Sequence, residues 1–93
     1  MSVYQEITAE REAQVARFGN EMDRVVNTPN DFVAYISHYA SRWFKGGFQP
    51  YPTEMVNDYR QQMIKVAALA VAAVEALDYQ RDNLGTAHFE AAS

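Results

Sequence analysis

The sequence predicts an all-α protein: a three-helix chain whose long alanine-rich third helix forms the centre of an oligomeric helical bundle. Three observations lead there. First, residues 63–77 read MIKVAALAVAAVEAL, and every residue from 66 to 74 is apolar, so no solvated face is visible. A helix that is apolar all round must be covered on all sides, by its own chain or by a partner. Second, Ser2 with Gln5 and Thr28 with Asp31 carry the spacing of helix N-terminal capping boxes. Third, 48% of the 93 residues are hydrophobic and 13% aromatic. A chain this short leaves much of its surface exposed, and three helices hide that much apolar area with difficulty. The mismatch favours a homo-oligomer, the alternative being an apolar patch for another partner.

The first helix is expected over residues 3–18, with Gly19 as a left-handed cap. Ile7 and Phe18 bracket Arg11 and Gln14 on one side of it, with Val3, Glu10 and Val15 nearby. Two readings of Arg11 and Gln14 stand together. In one, they lie at the margin of the apolar stripe with their stems covering it; in the other, they face a pocket and bond a ligand. Residues 19–28 lack a sustained period and are expected to form a loop, with Met22, Val25 and Val26 docked on the core.

Thr28-Pro29-Asn30-Asp31 is the strongest local signal: a capping threonine, a proline at the first helical position and an acid at the positive helix end. The second helix is expected from Pro29 to about Lys45, stopping at Gly46-Gly47. Its core face is Phe32, Ile36, Tyr39, Ala40 and Trp43, widened by Val33 and Phe44. A second row, Asp31, Tyr35, His38 and Arg42, combines an aromatic ring, an imidazole and a cation able to grip phosphate bidentately. The same row also reads as a solvated face with ordinary neighbour pairs.

Residues 46–53, GGFQPYPT, form a loop by their Gly and Pro content, with Phe48 and Tyr51 tucked against the helices. Thr53 is expected to cap the third helix, over roughly 54–83. Its first half is amphipathic through Met55, Val56, Tyr59, Met63 and Ile64, with Arg60 and Lys65 at the transition to the alanine-rich segment. Glu75 interrupts the apolar end, and a charge there needs an opposite partner or water; an arginine across an interface is the expected partner. Residues 1–85 form one helical domain, and 86–93 a mobile tail in which Phe89 can dock.

The formal charge of −4 and a pI of about 5.0, with Lys and Arg scattered singly, argue against a double-stranded nucleic-acid binder. A small anionic ligand held by a few local cations is compatible with them. The absence of cysteine excludes disulfides and thiolate zinc sites, and His38 and His88 lack metal-ligand spacing. No signal-peptide pattern opens the chain, and the apolar run is far below the ~20 residues that cross a bilayer. The expected compartment is the cytoplasm. There is no phosphate-cradling glycine loop, and Ser37 and Ser41 cannot face His38 as nucleophile and base on one helix. Paired helix carboxylates that would bind magnesium are not concentrated; Glu54, Asp58, Glu75 and Asp78 lie near helix ends.

Three segments together resemble the MazG-like proteins that are common in phage genomes: ITAEREAQ at residues 7–14 followed by Gly19, DFVAYI at 31–36, and YRQQMIKVAALAVAAVEALD at 59–78. Members of that family are magnesium-dependent nucleoside triphosphate pyrophosphohydrolases with a four-helix core, assembled as dimers or tetramers. Their E-E-x-x-E metal cluster has no counterpart here, where the segment reads FVAYISHYASR; Glu75 and Asp78 match the E-x-x-D of the later helix. The resemblance therefore implies a non-catalytic, oligomeric nucleotide binder without a cofactor, of the kind phages use as a sponge for cyclic dinucleotides and other defence signals. Under that reading Arg11, Arg42, Arg60 or Lys65 neutralises phosphate, Tyr35 or Tyr39 stacks a base, and Gln14, Asp31 and His38 read its edge. Two alternatives stand beside it: a pyrophosphohydrolase with Mg2+ on Glu10, Glu75 and Asp78, and a module that binds a host protein.

Overall fold

The computed structural model describes residues 2–19, 26–43 and 52–83. Expectations for Met22, Val25, Phe44, the Gly46-Gly47 stop, Phe48, Tyr51 and the tail with Phe89 fall outside the described residues. Among the described residues the secondary structure is helical throughout: α1 (Val3–Phe18), α2 (Pro29–Ser41), a 3-10 turn (Thr53–Met55) and α3 (Val56–Asn83). None of these helices is long and apolar enough to cross a membrane.

α1 starts where its capping box places it. The Ser2 hydroxyl accepts the Gln5 N–H at 3.1 Å, and the Gln5 amide oxygen accepts the Ser2 N–H at 2.8 Å. It ends at Gly19, whose N–H donates to the Val15 carbonyl at 2.7 Å. Gly19 has φ +83° and ψ 153°. The positive φ suits glycine, but the chain leaves extended rather than through the expected left-handed helical cap.

α2 opens on the same device, with the Thr28 hydroxyl accepting from Asp31 N–H at 3.2 Å and the Asp31 carboxylate accepting from Thr28 N–H at 2.9 Å. It stops at Ser41, short of the expected Lys45. There the Trp43 N–H bonds the Ala40 carbonyl at 3.1 Å, an i to i−3 bond that tightens the last turn. The indole packs edge-on to Tyr59 of α3, with centroids 5.6 Å apart, and is 8% exposed. Burial of that ring accompanies the early stop.

Thr53 does not cap α3. It lies within the 3-10 turn, which begins after Pro52 and makes no side-chain cap bond. Met55 N–H reaches the Pro52 carbonyl at 3.0 Å, closing a turn that leads directly into α3.

α3 is the common wall. α1 runs along it in the same direction, with Glu6 beside Arg60 and, further on, Arg11 beside Glu75. α2 runs antiparallel to it: Trp43 meets Tyr59, Tyr39 meets Lys65, and the Gln80 amide reaches the Asn27 carbonyl at 3.4 Å. Between them α3 buries a ridge of every fourth residue, Ala68, Ala72, Ala76 and Gln80. The methyl groups allow neighbouring helices to come close, and Phe32 packs on Ala72 and Ala76 with Ala73 alongside. Two helices do not enclose a third, however. Within one chain the 66–74 run is covered on only part of its circumference: Ala70 is exposed, Val71 is 41% exposed and Val74 59%.

Candidate functional site

The structure distributes the sequence-predicted site residues over three places. Arg11 and Gln14 are buried on the inner side of α1, at 9% and 7% exposure. The Arg11 Nε lies 3.8 Å from a Glu75 carboxylate oxygen, so the arginine expected beside Glu75 comes from the same chain. The Gln14 amide oxygen is buried and accepts no hydrogen bond. Beside them, Arg60 grips Glu6 through two nitrogens, at 2.7 and 2.5 Å. The bonds to Arg60 hold the Glu6 carboxyl below its ordinary range, and the bonds to Glu6 push the Arg60 guanidinium higher. A guanidinium so engaged is a poor candidate for a phosphate grip unless Glu6 lets go.

The second place is the start of α2. Asp31 has its carboxylate in the capping box, which explains the residue without a ligand. The Tyr35 hydroxyl donates to the Asn27 amide oxygen at 3.3 Å, and its ring stands edge-on to Phe32 at 6.5 Å.

The third place gathers chemistry. Where the end of α2 meets the start of α3, a cleft of about 340 Å³ is lined by Arg42, Trp43, Met55, Asp58 and Gln62. One turn beyond Gln62, the Lys65 ammonium lies 5.7 Å from the Tyr39 ring centroid, within cation–π range. His38 stands edge-on to Tyr39 at 5.1 Å, and both His38 and Arg42 are exposed. The Gln62 amide oxygen is buried and accepts no hydrogen bond, an acceptor that costs free energy until a donor meets it. The cleft thus combines the Arg42 cation, the Trp43 ring and an unpartnered acceptor with the Asp58 carboxylate, and the Lys65–Tyr39 pair lies one turn from it.

Of the expected residues, Arg42 lines the cleft, while Tyr39, with Lys65 and His38 against its ring, lies one turn away. It does not bring Arg11, Gln14, Asp31, Tyr35 or Arg60 to the same cleft. Trp43, Asp58, Tyr59 and Gln62 are the residues sequence reasoning missed, because Trp43 and Tyr59 read as core. The signal was there: Asp58, Gln62 and Lys65 recur at spacings of four and three, which places them on one face of α3.

The candidate metal ligands do not meet. Glu10 lies 3.6 Å from Arg17, Glu75 beside Arg11, and Asp78 3.4 Å from Arg81. Among the described residues no group of three or more histidines and acids comes together around a possible metal position. Comparison of the chain with protein-family profiles, with characterised proteins and with solved structures gives no match in any of the three.

Proposed function

We propose that the protein is a non-catalytic nucleotide binder that acts as a homo-oligomer, holding a small nucleotide at the α2–α3 cleft. One observation carries the reading: Arg42, Trp43 and Gln62, whose amide oxygen has no partner, line one open cleft with Asp58 and Met55, and Lys65 lies over the Tyr39 ring one turn away. Arg42 and Lys65 neutralise phosphate, Tyr39 offers a ring to stack a base, and Gln62 accepts from an exocyclic amine. Stacking contributes ~1–3 kcal/mol per base, and a charge-assisted bond ~1.5–3 kcal/mol. A volume of about 340 Å³ lies at the small end of ligand pockets, which suits one base and its phosphate. The MazG-like resemblance points to the same ligand class. Within it, cyclic dinucleotides and other defence signals are the proposed targets, with the protein as a sponge.

The test is sequestration. Purified protein with magnesium is mixed with a panel of nucleotides and cyclic dinucleotides, filtered off, and then heat-denatured. A ligand that disappears from the filtrate and returns intact supports binding; its return as monophosphate and pyrophosphate would replace this reading with an enzyme. Arg42→Ala should weaken binding ~10–150-fold, the equivalent of one charge-assisted bond, and leave the oligomer unchanged. Full affinity in that variant removes Arg42 from the site, and a panel that passes through untouched ends the nucleotide reading.

A further inference from the structure

We propose that the uncovered face of α3 receives a second copy of this chain, the two α3 helices packing antiparallel through Met63, Ala67, Ala70, Val74 and Leu77. The proposal rests on the oligomeric half of the reading above and is independent of the ligand. These five residues are spaced by four, three, four and three, the 3.5-residue repeat of a helix–helix seam. The wheel places them away from the ridge Ala68, Ala72, Ala76 and Gln80 that α1 and α2 bury. Ala70, Val74 at 59% and Leu77 at 38% are exposed, Met63 and Ala67 are half-buried, and Val56, one repeat before Met63, is 55% exposed.

The apolar surface continues past the seam. Val33 of α2, 60% exposed, stands on the rim of a groove of about 240 Å³ shared with Ile36, Ala73, Val74 and Leu77. Seam and rim together open on the order of 450 Å² of apolar area per protomer, within the range of the largest patches on monomers. Two copies would cover about 900 Å² of apolar area, and the polar rim would have to carry the total past the ~1,000 Å² that a specific interface should clear.

Charge selects the orientation. Arg60 and Arg81 occupy the same repeat position as Ala67 and Val74, so a parallel pair would set each arginine against its own copy. In the antiparallel pair Met63 faces the partner's Val74, Ala67 faces the partner's Ala70, and Arg60 lies over the partner's Leu77 with the partner's Asp78 next to it. Opposite charges then meet at both ends of the seam.

Three measurements test this. Light scattering on the eluting protein should give two chains of 10.6 kDa, or a larger even number. Val74→Glu, at a position open in the single chain, should give the monomer with unchanged far-UV circular dichroism. The chain has no cysteine, so Met63→Cys and Val74→Cys report orientation. Oxidised together they should form a covalent heterodimer, and each alone should not, because in the antiparallel pair equal positions lie ~16 Å apart along the axis. A monomeric wild type overturns both the oligomer and the face. An unchanged mass in Val74→Glu overturns the face while leaving the oligomer standing. Cross-linking of Met63→Cys alone overturns the antiparallel arrangement.

Discussion

Replacing Phe32 with alanine should remove about 3 kcal/mol of stability. The ring is 3% exposed and joins α2 to the alanine ridge of α3 through Ala72 and Ala76, which are 1% and 2% exposed. Truncating a buried phenylalanine costs ~3–5 kcal/mol, part from lost transfer free energy and part from the void left behind. Here the ring also lines the groove between α2 and α3, so the new space would join that groove and admit water. This keeps the loss at the low end. A chain of 93 residues has a total of ~5–14 kcal/mol, so the variant should remain folded but unfold ~12–24 °C earlier. Urea titration followed by circular dichroism measures the loss, at one protein concentration because association shifts apparent stability. Phe32→Leu should recover more than half of it. A loss under ~1 kcal/mol in Phe32→Ala would refute the argument that this ring holds α2 on α3.

Thr28→Ala removes one half of the α2 capping box and should cost about 1 kcal/mol, read from the same titration; no change would mean that Pro29 and Asp31 suffice. Gln14→Met deletes a buried oxygen that accepts no hydrogen bond, so stability should rise by about 1 kcal/mol, and a fall would show that the amide is engaged. Glu6→Gln tests the pair with Arg60. Because the folded state lowers the Glu6 pKa, the pair stabilises above the ordinary glutamate value of about 4.3 and loses that contribution as pH falls through the depressed one. The stability gap between wild type and variant should therefore be largest at neutral pH, close in that acid window and shrink in high salt; parallel pH profiles would contradict it.

The parts of this fold that were legible in the sequence are those decided within a few residues. Ser2 with Gln5, and Thr28 with Asp31, satisfy their bonds locally, so their helices begin where the spacing says. Thr53 fails as a cap because Pro52 offers a carbonyl to Met55 and a tight turn forms instead. The end of α2 coincides with Trp43 packing on Tyr59, a contact sixteen residues away that no helical wheel of α2 contains. The binding candidates divide in the same manner. Tyr39 lies on α2 and Arg42 just past its end, and the fold sets Lys65 of α3 against the Tyr39 ring. Arg11 and Gln14, by contrast, are turned inward against a helix rich in alanine, where small side chains leave room for long ones. Polarity alone could not separate a residue facing a pocket from one filling space beside methyl groups.

The order of the helices along α3 also sets an order of assembly. Trp43 and Tyr59 lie sixteen residues apart, whereas Glu6 reaches Arg60 across fifty-four. Closing the longer loop costs about 1 kcal/mol more in chain entropy, so α2 and α3 should pair first as a hairpin and α1 should dock onto a surface already formed. α1 should equally be the first element to leave. Amide protons in α1 should then exchange faster than those in the middle of α3, and each opening would return the buried Arg11 and Gln14 to water.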